Sequence, residues 1–179
     1  MSIDALVAPL LRVRLFQGLE PRQYSAISRI TERVMYRDGT LISEAGKPGT
    51  AAILVVSGPA ECIGTLPGER EPIAPGSLIG EMAMFVEHVY GTTVVARGPV
   101  KTLRLAREAM HGLMLQDQAL AEHLVSRISA RLMAVAAELR RVDETLAAPF
   151  ADGSLARAFD SLPPPLSLPA NGYPSLAAH

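Results

Sequence analysis

The spacing of apolar residues predicts that the chain begins with helix. Between residues 3 and 33 they recur at three- and four-residue intervals, as on one face of a helix. Gly18 and Pro21 interrupt the pattern, so we expect two short helices joined by a turn. The residues of the pattern are Leu6, Leu10, Leu11, Leu15, Tyr24, Ile27 and Ile30.

The next segment, residues 34–105, has the pattern of a small antiparallel β-structure. Short runs of β-forming residues alternate with Gly and Pro pairs that are typical of turns. Many short strands at even spacing predict a barrel or a sandwich. The predicted strands cover residues 40–42, 52–56, 60–63, 92–96 and 100–105.

A long helix is predicted after the β-segment. A short helical stretch, residues 107–115, precedes an uninterrupted stretch from Asp117 to Leu146 in which apolar residues follow a 4-3-4-3 spacing. This stripe either packs on the chain's own β-structure or pairs with a second copy. We favour a homodimer, because a helix of about 30 residues is long for a single domain. The stripe begins at Ala121, and the expected dimer contacts are Val125, Ile128, Leu132, Val135, Leu139, Val142 and Leu146.

Residues 148–179 show no periodicity and are rich in proline, including Pro163, Pro164 and Pro165. Two interpretations remain open: the segment is disordered, or it lies as an extended strap on the body. We therefore expect one domain at residues 1–147, which includes the long helix, and a Pro-rich tail at residues 148–179.

Composition and charge narrow the classes of function. Lys and Arg number 17 and Asp and Glu number 18, so the net charge of −1 attracts neither nucleic acid nor an anionic membrane. The single cysteine excludes a disulfide framework and a cysteine-based zinc site. No apolar run approaches the roughly 20 residues of a membrane span, and the N-terminus lacks the pattern of a secretory signal. We expect a cytoplasmic protein with no membrane partner.

Residues that would carry catalysis are scattered. The 4 histidines form no pair at metal-ligand spacing, and Pro48 stands where a phosphate-binding P-loop needs Ser or Thr. No Gly-x-Ser-x-Gly nucleophile motif is present. The sequence therefore indicates no enzyme, no metal site and no resident cofactor.

One segment, residues 75–85, has the features of a ligand cradle. Gly80 would let a ligand approach the backbone closely. A short helix is predicted to follow, so we expect unpaired N–H groups on Glu81, Met82 and Ala83 that would attract a phosphate. The Glu81 carboxylate would accept hydrogen bonds from a sugar hydroxyl; in the other interpretation it only stabilises the start of the helix.

The cradle lies within a longer pattern of spaced glycines and apolar runs. That pattern comprises residues 15–19, 38–42, Gly46, 52–58, 75–83 and 94–96. It resembles the cyclic nucleotide-binding domain family, of the catabolite-activator type, over residues 10–147. The resemblance implies an α+β, mainly β fold: an eight-stranded, jelly-roll-like β-roll with N-terminal helices and a long C-terminal dimerisation helix. It also implies cyclic AMP or cyclic GMP as the ligand.

The chain departs from the family at the phosphate-binding arginine. We call the segment that begins with Gly80 and Glu81 the cassette. In ligand-binding members the cassette is followed by Arg, then Ser or Thr, then Ala, and that Arg pairs with the cyclic phosphate. Tyr90, Gly91 and Thr92 stand at those positions here. Tyrosine donates one neutral hydrogen bond, whereas arginine donates a charged fork of about twice the strength per bond. The resemblance thus implies a pocket lined by Gly80, Glu81, Met82, Ala83, Tyr90, Gly91 and Thr92 that binds a cyclic nucleotide weakly or not at all.

A second departure from the family concerns the segment that binds DNA in many of its members. Many bacterial members carry a helix-turn-helix after the long helix, but the segment that follows here contains only Arg157 as a cation. We therefore expect no DNA binding by this chain itself. Two functions fit: a regulatory sensor that acts on a partner protein, or a ligand-independent interaction scaffold with a vestigial pocket.

Overall fold

The structure is a computed structural model that describes residues 7–64 and 68–151, with the backbone alone for residues 146–151. The chain divides into two compact units, Met1–Ala130 and Arg131–His179. The predicted tail beyond Ala151 lies outside the described residues, as do the first residues of the N-terminal helical pattern.

The N-terminal segment forms two helices with a tight turn between them, as predicted. Helix α1 covers Val7–Leu10, a 3-10 turn covers Arg14–Phe16, and helix α2 covers Pro21–Ile30. Proline is well suited to the first helical position, because its fixed φ matches the helix and its missing N–H would be unpaired there anyway. The Gln23 side chain accepts a hydrogen bond from the Glu20 N–H at 2.9 Å, which satisfies one further donor at this end.

The β-segment forms antiparallel sheets. The first sheet has four strands in the order β1-β10-β4-β7, the second has four in the order β2-β9-β5-β6, and β3 pairs with β8 in a separate ribbon. The strands are β1 Glu32–Tyr36, β2 Leu41–Ser43, β3 Pro48–Gly49, β4 Ala51–Ser57, β5 Ala60–Ile63, β6 Arg70–Ile73, β7 Leu78–Ile79, β8 His88–Val89, β9 Thr93–Ala96 and β10 Val100–Ala106. The eight strands of the two larger sheets form the predicted β-roll, although these described sheets do not close into a barrel.

The five strands predicted from the sequence are confirmed to within one residue at either end, as β2, β4, β5, β9 and β10. Strand β1 begins where the N-terminal helical pattern was expected to end. The other strands that were not predicted are short or polar: β3 and β8 have two residues each, and β6 contains Arg70, Glu71 and Pro72. Such segments lack the alternation that marks a half-buried strand, so only pairing with neighbours defines them.

Strand β4 separates two apolar clusters, because alternate residues of a strand point to opposite faces. Ala52 and Leu54 belong to a first cluster with the helices, whereas Ile53 and Val55 belong to a second cluster inside the roll. Both clusters are built from aliphatic residues and a few Met, Phe and Tyr side chains. The second cluster comprises Ile42, Ile53, Val55, Ala60, Ile79, Val94, Ala96 and Val100, with Tyr36, Cys62 and Ile73 packed against it.

Two helices follow the roll. Helix α3 covers Arg107–Gln116 and helix α4 covers Gln118–Ala151. Asp117 separates them and accepts a hydrogen bond from the Leu120 N–H at 2.9 Å, so it caps the start of α4. Leu120 and Leu124 are fully buried in the first cluster, which fixes the first turns of α4.

The end of α4 differs from the sequence prediction. The helix continues to Ala151 instead of ending at Leu146, and therefore runs through Pro149. A proline beyond the first turn removes one backbone hydrogen bond and crowds the carbonyl four residues earlier, and the position of Pro149 near the end of α4 limits this disruption to the final turns. In the second unit the described residues from Arg131 to Thr145 are all exposed.

Candidate functional site

The predicted cradle is built at the end of strand β7. Ile79 pairs with Ile53 of β4, Gly80 follows with φ 62° and ψ 42°, and a four-residue 3-10 helix covers Glu81–Met84. Glycine adopts this left-handed conformation without the steric penalty that a Cβ would bring. The Gly80 turn redirects the chain from the sheet into the short helix, at the place that the sequence predicts.

The backbone donors of this short helix are only partly available. The Ala83 N–H donates to the Gly80 carbonyl at 2.9 Å, so the prediction of an unpaired N–H at Ala83 is wrong. The reason is the tight 3-10 winding, which closes a hydrogen bond over three residues and satisfies a donor that an α-helix would leave open. Ala83 and Met84 are also fully buried, which anchors the helix to the body.

Gly49 lies in close contact with Ala83 of the cassette and with the Tyr90 ring. A Cβ on Gly49 would stand 2.8 Å from the Ala83 Cβ and 3.3 Å from the Tyr90 ring. Gly49 pairs with His88 in the β3–β8 ribbon, so the ribbon holds this close approach. The His111 Nε2 lies 2.6 Å from the Phe85 carbonyl and donates to it, which ties α3 to the end of the cassette.

Tyr90 lies directly against Gly80. A Cβ on Gly80 would stand 2.4 Å from Tyr90 Cε1 and 2.7 Å from Cδ1, so the ring fills the space above this glycine. The Tyr90 hydroxyl donates to the Ala51 carbonyl at 2.9 Å. Its N–H donates to the Lys47 carbonyl at 2.9 Å, and its own carbonyl accepts from Gly46 at 2.8 Å. Backbone and hydroxyl together therefore hold the ring over the cradle.

The environment of Tyr90 keeps its phenol protonated. Burial raises the pKa of Tyr90 above its ordinary value, and the Arg104 charge acts in the opposite direction. Burial also raises the pKa of Tyr36, and the nearby phenol of Tyr90 raises it further. At neutral pH both phenols are therefore neutral hydrogen-bond donors.

The remaining predicted residues lie at different depths around this contact. Glu81 and Met82 are half-buried, whereas Gly91 and Thr92 are exposed. The Thr92 carbonyl accepts a hydrogen bond from Ser43 Oγ at 2.9 Å, which holds the start of β9 against β2. The structure thus brings Gly80, Ala83 and Tyr90 together, and places Gly91 and Thr92 on the surface that follows.

A charged group near Tyr90 was not predicted from the sequence. Arg104 of β10 lies with one guanidinium nitrogen 3.0 Å from Glu32 Oε2 and with the other 3.2 Å from Thr50 Oγ1. Thr50 directly precedes Ala51, the acceptor of the Tyr90 hydroxyl. No local signal marked Arg104, because an isolated cation in a strand is typical of a solvated face.

The Tyr90 ring closes the side of Gly80 on which a Cβ would lie. A ligand group on that side of Gly80 would occupy the space that the Tyr90 ring fills. Binding there therefore needs the ring to rotate away and its hydroxyl to leave the Ala51 carbonyl.

Within the described part of the chain, no helix combines the length and the apolar character that a membrane crossing requires.

Comparison with known proteins identifies the domain. The model of the cyclic nucleotide-binding domain family matches residues 33–117. A cAMP-dependent protein kinase regulatory subunit from Aspergillus fumigatus is 31% identical over 103 residues, which are 57% of this chain and 25% of that protein. A CRP-like cAMP-activated global transcriptional regulator from Mycobacterium tuberculosis is 25% identical over 142 residues, 77% of this chain and 60% of the regulator.

A solved structure agrees with these matches. The catabolite activator protein of Thermus thermophilus superposes with a TM-score of 0.58 at 29% identity, covering 72% of this chain and 62% of that one. The chain thus spans a quarter to about three fifths of the length of these relatives. The relatives that it matches are regulatory proteins. The β-roll fold, the glycine-marked cassette and the family match agree: residues 33–117 of this chain belong to the cyclic nucleotide-binding domain family.

Proposed function

We propose that the chain is a non-enzymatic regulatory module whose β-roll binds cyclic AMP or cyclic GMP weakly or with an altered preference. Both curated relatives are named for cyclic AMP, which supports this class of ligand. The observation that carries the proposal is the Tyr90 ring over Gly80. We propose that Tyr90 replaces the family's phosphate-binding arginine, as the sequence pattern predicts.

Tyr90 weakens binding in two ways. It replaces a charged hydrogen-bonding group by a neutral one, a loss of roughly 1.5–3 kcal/mol or tenfold or more in affinity. It also fills the space above Gly80, so a ligand must first break the hydrogen bond from Tyr90 to Ala51. Both effects act against a cyclic phosphate and leave the sugar-binding role of Glu81 intact.

In this proposal Gly80, Glu81 and Met82 border the ligand, and the Glu81 carboxylate accepts from the ribose. Ala83 is a packing residue, since its N–H is paired and its side chain is fully buried. Gly91 and Thr92 border the site from the exposed side.

We also propose a homodimer through helix α4. The expected contacts Val125, Leu132, Val135, Leu139 and Val142 are each about half exposed or more, from 48% to 64%, whereas Ile128 is partly buried against the first cluster. A sustained apolar stripe on an exposed helix favours a partner helix. The Leu146 side chain lies outside the described residues. A ligand that repacks the start of α4 would shift this stripe and signal to a protein partner.

The alternative function is a ligand-independent interaction scaffold in a vestigial cyclic nucleotide-binding domain. Tyr90 favours this scaffold function. One hydrogen bond of its hydroxyl and two of its backbone hold the ring in place, and a cradle closed in this way needs no ligand for stability. In that case the exposed stripe of α4 alone recruits the partner. Location in the cytoplasm stays a prediction of the sequence for both functions.

Calorimetric titration with cyclic AMP and cyclic GMP separates the two functions. We expect measurable heat for the wild-type chain, with a Kd in the micromolar to millimolar range, and tighter binding by Tyr90→Arg. The matched control is Leu115→Arg, which adds the same charge at a position that is 89% exposed and lies outside the cradle. Silence of both wild type and Tyr90→Arg at millimolar ligand would establish the scaffold instead.

A further inference from the structure

Arg104 lies on the face of β10 that points into the roll, toward the second cluster. In the β1–β10 register, Val100 pairs with Tyr36, Thr102 with Val34, and Arg104 with Glu32. Val100 and Tyr36 belong to the second cluster inside the roll, whereas Leu103 belongs to the first cluster on the opposite face. Since alternate strand residues share a face, Arg104 and Glu32 lie on the same side as Tyr36.

The guanidinium of Arg104 is partly shielded and only partly paired. Its side chain is 34% exposed, against 63% for that of Glu32. It donates to one Glu32 oxygen at 3.0 Å and to the Thr50 hydroxyl at 3.2 Å. A guanidinium carries five N–H donors, so these two bonds leave donors for a further acceptor.

The Tyr90 phenol lies close to this cation. Its hydroxyl donates to the carbonyl of Ala51, the first residue of β4, and Arg104 donates to the side chain of Thr50, the residue before it. The Arg104 charge acts to lower the pKa of both Tyr90 and Tyr36, in agreement with this placement. A guanidinium with N–H donors left for a further acceptor is a favourable environment for an anion.

We propose that Arg104 binds the anionic group of a ligand in this β-roll, in place of the arginine that is missing at position 90. This inference rests on the proposed function that the roll is a ligand site. Because Tyr90 covers Gly80, the ligand's negative group lies toward β10 instead of over the cassette. The ligand class is a small phosphate-bearing molecule, such as a nucleotide.

Glu32 acts as an internal counter-ion that the ligand displaces. It lies on β1, an edge strand of the first sheet, and is the more exposed partner of the pair. An exposed carboxylate loses little when it returns to water, so exchange of Glu32 for a ligand phosphate is inexpensive. In the absence of ligand, the pair joins β1 to β10 as an ordinary cross-strand contact.

Calorimetric titration with cyclic AMP, and separately with inorganic phosphate, tests this assignment. We expect Arg104→Gln to weaken binding of both probes by roughly tenfold or more, the loss expected for a charged hydrogen bond. Glu32→Gln removes the competing carboxylate and should tighten both. Arg104→Lys keeps the charge but lacks the planar, forked donor group of arginine, so its affinity for both probes should lie between those of wild type and Arg104→Gln.

The Arg97–Glu61 pair provides a matched control. Its side chains are 33% and 32% exposed, and it also joins two parts of the β-structure, with a nitrogen–oxygen distance of 2.7 Å. Glu61 alternates with Ala60 and Cys62, which face the second cluster, so this pair lies on the outer face of the roll. Arg97→Gln and Glu61→Gln should leave binding of both probes unchanged.

The outcomes separate this inference from the proposed function. If Arg104→Gln folds and binds like wild type while Tyr90→Arg binds more tightly, the assignment of Arg104 is wrong and the proposed function stands. If Arg104→Gln does not fold, Glu32→Gln decides, and unchanged affinity would refute the assignment. If no variant binds either probe, both the assignment and the sensor function fall.

Discussion

The Tyr90 ring covers Gly80 so closely that a Cβ on this glycine would stand 2.4 Å from Tyr90 Cε1. The glycine that would let a ligand reach the backbone is therefore in contact with a side chain of the same domain. Gly80 also has φ 62°, so both its conformation and its surroundings require the absence of a side chain. The following predictions test this arrangement and the helices that flank it.

Gly80→Ala should destabilise the domain. A left-handed conformation costs alanine about 1–2 kcal/mol, and the clash with the Tyr90 ring adds about 1–3 kcal/mol of overpacking. Urea denaturation measures the sum. Gly91→Ala is the control, because Gly91 has no positive φ and its Cβ would meet nothing within 4 Å. In the double variant Gly80→Ala, Tyr90→Ala the clash is absent, so only the overpacking part of the Gly80→Ala loss should be recovered. If the losses in unfolding free energy of the two single variants simply add in the double variant, the contact is contradicted.

Tyr90→Phe should remove the hydrogen bond to the buried Ala51 carbonyl and keep the ring. We expect a loss of about 0.5–1.5 kcal/mol in the free energy of unfolding. A larger loss for Tyr90→Ala would show that the ring contributes beyond its hydroxyl. Unchanged stability of Tyr90→Phe would mean that the hydroxyl is not held by Ala51 in solution.

Alkaline pH should destabilise the wild-type domain more than the Tyr90→Phe variant. The pKa of Tyr90 is raised in the folded state above its ordinary value of 10.0. The unfolded chain then releases the phenolic proton first, so stability falls as pH rises above about 10 and levels off only above the folded-state pKa. Urea midpoints between pH 9 and 11 measure this slope, and equal slopes for the two proteins would refute it.

Asp117→Ala should weaken the start of α4. The carboxylate accepts from the Leu120 N–H at 2.9 Å and from the Gln23 side chain at 3.3 Å and 3.4 Å, so it caps α4 and ties it to α2. Thermal unfolding should shift down by roughly 2–4 °C. Asp117→Asn, which retains an acceptor oxygen, is the control and should lose less. The hydrogen bond to Leu120 holds the pKa of Asp117 below its ordinary value, so the contribution of the cap should disappear as pH falls below about 3.8.

Leu139→Glu should dissociate the proposed homodimer. Leu139 is 64% exposed and lies on the apolar stripe, where a carboxylate would have to be buried against the partner helix. Sedimentation equilibrium should show an increase of at least about tenfold in the dimer Kd. Met133→Glu is the matched control, since Met133 is 72% exposed on the same helix but lies off the stripe. A monomeric wild type, or equal effects of the two variants, would exclude this interface.

Local pattern was sufficient to find the longer elements and the cassette. Strands such as β4 and β10 alternate or run apolar over seven residues each, and Gly80-Glu81 marks the cassette in the sequence itself. Local pattern is not sufficient where winding or pairing decides. The 3-10 winding of Glu81–Met84 pairs the Ala83 N–H that an α-helix would leave free, and two-residue strands such as β3 exist only through their neighbours.

The sequence by itself determined the antiparallel β-segment, the position of the Gly80 turn and the apolar stripe of α4, because each depends on residues close together in the chain. Only the tertiary structure decided what lies above the turn. The Tyr90 ring reaches Gly80, and the Arg104 guanidinium reaches Glu32 and Thr50, through pairings between strands that are distant in sequence. Residue spacing encodes which face a side chain occupies, but which side chains meet across a roll depends on the register of its strands.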